Sequence, residues 1–97
     1  MHAIVGVFKM DPRLFARQRK ELDERIVPLV RHQPGFVSAT WSYERDAGRS
    51  YSLVVLDSES AARSFAAFVK EQSSLQNDAG VQLESIIVAE VLAEARK

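Results

Sequence analysis

The stretch Ala3-Ile4-Val5-Gly6-Val7-Phe8 is apolar at every position, and this constrains the fold more than any other feature of the chain. A strand with one wet side alternates apolar and polar residues, whereas a strand with no polar face must be covered on both. Two later segments share the property. Leu53 and Val55 back onto Val54 and Leu56, and Leu83, Ile87 and Val91 back onto Ile86, Val88 and Leu92. Whichever side packs on the helices, roughly six large side chains remain on the other, each worth about 1.5–3 kcal/mol when fully buried. A patch of that size marks an interface, and its simplest cover is a second copy of the same sheet.

The rest of the chain supplies the elements around these strands. Asp11-Pro12 starts a helix, with Asp11 as N-cap and Pro12 in the first turn. Phe15, Leu22, Ile26, Leu29 and Val30 form its apolar stripe, and Arg17–Glu21, Lys20–Glu24 and Glu21–Arg25 are opposite charges at i,i+4. Pro28 predicts a kink or an early end, and Gln33-Pro34-Gly35 a stop. Phe36 to Arg45 alternates, with Val37, Ala39, Trp41 and Tyr43 on one side. Asp46-Ala47-Gly48 is a turn leading to a strand over Arg49–Asp57. A three-residue loop with Gly48 left-handed sets Tyr43 opposite Tyr51 and Trp41 opposite Leu53; a two- or four-residue loop sets Trp41 opposite Val54. Asp57 or Ser58 caps a second helix carrying Ala62, Phe65, Phe68 and Val69, which runs out in the polar stretch Gln72–Gly80 before a last strand, Val81–Leu92. The order is β-α-β-β-α-β. Right-handed crossovers turn it into an α+β, ferredoxin-like domain with an antiparallel sheet of strand order 4-1-3-2 and both helices on one face.

At 97 residues, the chain forms one domain, 1–97, around one core. Thirteen basic against thirteen acidic side chains disfavour a nucleic-acid partner, which needs a basic excess. RNA-recognition modules share the strand order but need aromatics on the first and third strands. Here Leu53 and Leu56 replace two of them, and Ile4 stands where a stacking ring belongs. No apolar run approaches the roughly 20 residues of a membrane helix, and Lys9 and Asp11 interrupt any signal-peptide core, so a cytoplasmic protein without a membrane partner is expected. The chain has no cysteine, and its two histidines, His2 and His32, have no carboxylates at ligand spacing, so no metal site is expected.

The residues that bear on chemistry are few. In the three-residue register Trp41, Tyr43 and Tyr51 form an aromatic patch fit to stack a flat organic ligand, or a cross-strand cluster that only packs the sheet. Phe65 and Phe68 either roof the same cavity or fill the core. His32 either complements the end of the first helix or acts as acid or base at a pocket mouth. Gly6 marks a bulge or a close approach of side chains.

Phe8 followed by a Pro-initiated helix, Val27-Pro28-Leu29, the run Gln33-Pro34-Gly35-Phe36-Val37-Ser38 and the Ala62-x-x-Phe65 helix with its Phe68 resemble the antibiotic biosynthesis monooxygenase-like family of the dimeric α+β barrel superfamily. The resemblance spans nearly the whole chain. It implies a homodimer, a pocket between sheet and helices in each subunit, and oxidation of aromatic, phenolic or quinol-type small molecules without metal or flavin. The family's haem-degrading branch uses an Asn on the first strand and a Trp and a His near the second helix. This chain has no Asn before Asn77, its one Trp is Trp41, and no His follows His32, which disfavours haem. The expectation is therefore a cofactor-independent monooxygenase with His32 and Tyr51 as catalytic groups and Trp41, Tyr43, Phe65 and Phe68 around the substrate. The alternative is a non-enzymatic dimer of the same fold that binds a small ligand or serves a stress role.

Overall fold

A computed structural model describes residues 1–97. The chain forms β1 (His2–Met10), a 3-10 turn (Pro12–Leu14), α1 (Phe15–Glu21), a π-helical stretch (Leu22–Ile26), α2 (Val27–Arg31), β2 (Phe36–Glu44), β3 (Arg49–Leu56), α3 (Glu59–Glu71), α4 (Ser73–Asp78) and β4 (Val81–Glu90). All strand pairs are antiparallel, in one sheet of order β2-β3-β1-β4, which is the expected 4-1-3-2 read from its other edge. The core joins Ile4, Val54 and Leu56 of the sheet to Val30 of α2 and Ala62, Phe65 and Ala66 of α3, so both helical segments cover the same face.

The helix starts are held as the sequence leads one to expect. Asp11 Oδ1 accepts from the Arg13 N–H at 3.0 Å, and Ser58 Oγ accepts from the Ala61 N–H at 3.1 Å. Pro28 does not end its helix, which runs on to Arg31. The turn ahead of it widens instead, and the Val27 N–H reaches the Leu22 carbonyl five residues back. A proline has no N–H to give and its ring crowds the carbonyl four residues earlier; a π turn moves that carbonyl aside. Of the three expected ion pairs only Glu21–Arg25 closes, at 2.7 Å, with Arg19–Asp23 at 2.9 Å beside it. The polar stretch after Gln72 is also helical, as α4. Its one large apolar residue, Leu75, leaves no periodicity to read. Part of its anchorage is a hydrogen bond from Gln76 Nε2 to the Val69 carbonyl (3.1 Å).

The hairpin has the four-residue loop that the sequence allowed, but not the Trp41–Val54 pairing expected for it. Its turn holds four residues, Arg45 to Gly48, and pairs Glu44 with Arg49, Trp41 with Ser52 and Tyr43 with Ser50. Gly48 is left-handed (φ 63°), its N–H meets the Glu44 carbonyl at 2.9 Å, and its own carbonyl accepts from Met10 N at 2.8 Å. Taking Arg45 into the turn shifts the pairing by one residue, which moves every β3 side chain to the other face. Tyr51 therefore lies opposite Ser42 and away from Tyr43 and Trp41. The expected three-aromatic patch does not form.

On the face away from the helices stand Val5, Val7, Tyr51, Leu53, Val55 and Ile87, side by side in the ladder. Leu53 is 45% and Ile87 58% exposed in the single chain. Polar groups at one end of this face satisfy each other: Arg49 Nε donates to Glu84 at 2.8 Å and the Tyr51 hydroxyl to Glu44 at 2.7 Å.

Candidate functional site

Between the sheet and the helices lies a chamber of about 270 Å³, and 18 of its 27 lining residues are hydrophobic. That lies just below the roughly 300–1,000 Å³ of typical small-molecule sites. The hairpin supplies one wall. The pairs Trp41–Ser52 and Tyr43–Ser50 turn inward together, bringing an indole and three hydroxyl-bearing side chains to a mostly hydrophobic lining. Gly6 is the β1 partner of Ser52. A Cβ there would sit 2.7 Å from Ser52 Oγ and 2.9 Å from Phe8 Cε2, so the close-approach reading of this glycine holds, and any side chain would displace the serine or the ring. The β1–β4 bulge falls one step later, between Val7 and Phe8.

Phe65 and Phe68 of α3 form the roof, their ring centroids 6.1 Å apart. Phe65 is also part of the core, so packing and cavity-lining are the same job for this ring. The helical wall comes from the π stretch and α2, through Leu22, Ile26 and Leu29, and from Phe15 and Gln18 of α1. At one end Phe15 packs on Tyr43 with centroids 4.9 Å apart, and the Arg45 guanidinium sits 5.3 Å from the Phe15 centroid and 5.9 Å from that of Tyr43. This cation–π stack ties the hairpin turn to α1.

Four of the six residues singled out in the sequence, Trp41, Tyr43, Phe65 and Phe68, line this chamber, and His32 and Tyr51 do not. His32 is the exposed cap of α2, with Nδ1 held 2.7 Å from the Pro28 carbonyl. Its place is that of a helix-end imidazole. Tyr51 is on the opposite side of the sheet for the register reason given above.

There the Glu44 carboxylate, which accepts the Tyr51 proton in its hydrogen bond, holds the phenol above its ordinary range, with partial burial adding to the effect. A raised folded-state pKa means that this contribution to stability is intact below the unfolded value near 10 and is lost as pH climbs through the folded one. The phenolate absorbance difference between wild type and Tyr51→Phe is accordingly expected to titrate above that value. A midpoint at or below it would show that the Glu44 contact does not persist in solution.

Sequence reasoning missed Gln18. Its side chain is 5% exposed, and Nε2 lies 3.1, 3.0 and 3.3 Å from the carbonyl oxygens of Asp11, Ala79 and Gly80. One amide thus staples the β1–α1 junction to the α4–β4 turn. The signal was there: Phe15, Gln18 and Leu22 share one stripe, and a glutamine interrupts it. No cluster of three or more His, Cys, Asp or Glu side chains that could hold a metal exists in the chain. No helix is long and apolar enough to cross a membrane.

This architecture is the fold of the antibiotic biosynthesis monooxygenase-like proteins. Among solved structures, the chain is similar to a candidate antibiotic biosynthesis monooxygenase from Deinococcus radiodurans (20% identity, TM-score 0.75, covering 100% of this chain and 97% of that one). It is similar also to the monooxygenase from the gene ActVA-Orf6 of Streptomyces coelicolor, solved in complex with nanaomycin D (18% identity, TM-score 0.65, 99% and 92% covered). A third is HapK from Hahella chejuensis (11% identity, TM-score 0.73, 100% and 98% covered). No family model matches the sequence, and no curated protein does.

Proposed function

We propose that the protein is a homodimeric, cytoplasmic monooxygenase that oxidises a phenolic or quinol-type aromatic compound with molecular oxygen, using neither metal nor flavin. The observation that carries this reading is the chamber: largely apolar, of a size for a small fused-ring compound, and walled by Trp41, Tyr43, Ser50 and Ser52. The similarity in fold to a monooxygenase solved with nanaomycin D supports it. Once deprotonated, such a substrate is itself the reductant. It gives an electron to oxygen, one oxygen atom enters the ring as a carbonyl, and the other leaves as water with two hydrogens from the substrate. The protein's part is to hold the ring where bulk water is excluded and to stabilise the developing oxyanion with fixed donors. The Trp41 N–H and the Tyr43, Ser50 and Ser52 hydroxyls are suited to that role, with Phe65 and Phe68 closing over the ring. The homodimer rests on the uncovered apolar side of the sheet, since no monomeric domain of this size can leave so much apolar surface wet without cost.

Oxygen uptake with a panel of dihydroxynaphthalenes and anthrones tests the activity. Protein-dependent consumption above the autoxidation rate is expected. Its absence across the panel, with binding retained, would favour the non-enzymatic ligand-binding protein. That second reading has one observation behind it: the carboxylate lining the chamber, Glu21, is already paired with Arg25, leaving no free base inside. Trp41→Phe removes one donor while keeping a ring, and should weaken ligand binding or turnover by roughly 3- to 10-fold, the worth of one neutral hydrogen bond. Unchanged kinetics would remove Trp41 from the site.

A further inference from the structure

Two glutamines that line the chamber share an unusual arrangement. In each, the amide nitrogen is tied to the backbone while the amide oxygen is buried with no partner. Gln18 Nε2 is claimed by the carbonyls of Asp11, Ala79 and Gly80, so its amide cannot be turned over without driving oxygen against three oxygens. Gln76 Nε2 donates to the Val69 carbonyl at 3.1 Å. Since Gln18 bonds to Ala79, one turn beyond Gln76, the two side chains belong to the same end of the chamber. A buried acceptor without a donor costs free energy unless something meets it. One such orphan is an accident of packing; two at one end of one cavity form a pattern.

We infer that Gln18 and Gln76 form a pair of acceptors in the chamber that selects ligands carrying hydroxyl or N–H donors at the edge of an aromatic ring. This rests on the chamber being a binding site for small aromatics, the reading given under the proposed function, and adds which substituents it reads. The hairpin wall offers donors through Trp41 and Ser52, whereas Gln18 and Gln76 offer carbonyl oxygens. A ligand is thereby oriented. Its oxyanion or carbonyl meets the hairpin, and its remaining hydroxyl meets the glutamines. A ring whose hydroxyls are methylated or oxidised to carbonyls leaves both glutamine oxygens unmatched, and sites built around a substrate hydroxyl reject analogues that lack it.

Anaerobic titration followed by the fluorescence of Trp41, the one tryptophan, provides the test, with a dihydroxynaphthalene, its dimethyl ether and naphthalene as probes. The dihydroxy compound is expected to bind at least about tenfold more tightly than either analogue, as two neutral hydrogen bonds allow. In Gln76→Met and Gln18→Met the preference should fall to about threefold or less, with the circular dichroism spectrum unchanged. If Gln18→Met does not fold, because it also loses the staple to the α4–β4 turn, Gln76→Met alone decides. Equal binding of all three probes, or an undiminished preference in Gln76→Met, overturns the inference while leaving the aromatic chamber standing. Equal binding is also the result if resident waters already satisfy the two oxygens. Failure of every probe to bind overturns the chamber reading itself, and this inference with it.

Discussion

Leu53→Asp, and independently Ile87→Asp, should convert the proposed dimer to a 10.9 kDa monomer, raising the dissociation constant by at least about 100-fold. Both side chains project from the uncovered side of the sheet, 45% and 58% exposed in a single chain. A two-fold interface is self-complementary, so each substitution enters twice. An ionised carboxylate pressed into an apolar sheet–sheet contact is among the costliest single changes available to such a surface. Neither residue touches the chamber, so the monomer should keep a folded spectrum. Sedimentation at micromolar concentration reads the result. A wild-type chain that already sediments as a monomer, or variants that stay dimeric, would refute the face-to-face pairing of sheets.

The second large effect concerns the interior. Leu56 is wholly buried, paired with Phe36 in the hairpin and with His2 in β1, and belongs to the cluster that binds α2 and α3 to the sheet. Leu56→Ala removes three carbon atoms from that cluster and leaves a void that the surrounding strands cannot close. A loss of about 3 kcal/mol is expected. For a domain of this length that lowers the melting temperature by roughly 12–24 °C, as calorimetry would show. A shift of only a degree or two would mean that the helices do not clamp the sheet where Leu56 stands.

The architecture was legible because its signals are local. Asp11-Pro12, Gln33-Pro34-Gly35 and Ser58 mark ends by backbone chemistry that does not depend on the rest of the fold, and the period-two runs mark strands. The two-sided apolar character of β1, β3 and β4 placed roughly six side chains on the far face without any knowledge of distances. What stayed hidden turned on a single residue or on contacts distant in sequence. Whether Arg45 counts as strand or turn decides the side on which Tyr51 emerges, and Gly48 is left-handed in the expected arrangement and in the observed one alike. Gln18 was missed because its partners, Ala79 and Gly80, lie more than 60 positions away. α4 has too little apolar character to announce itself; it is held by polar side chains reaching to carbonyls, which periodicity cannot detect.

The π stretch at Leu22–Ile26 has a consequence for how such a pocket can diversify. A regular spiral across the same gap would need one residue fewer, so the inner wall of the chamber contains a spare amino acid. Deleting or adding a single codon there would re-aim Leu22 and Ile26 while leaving every strand pairing untouched. The hollow is thus open to reshaping by small length changes on its helical side alone, independently of the sheet that supports it.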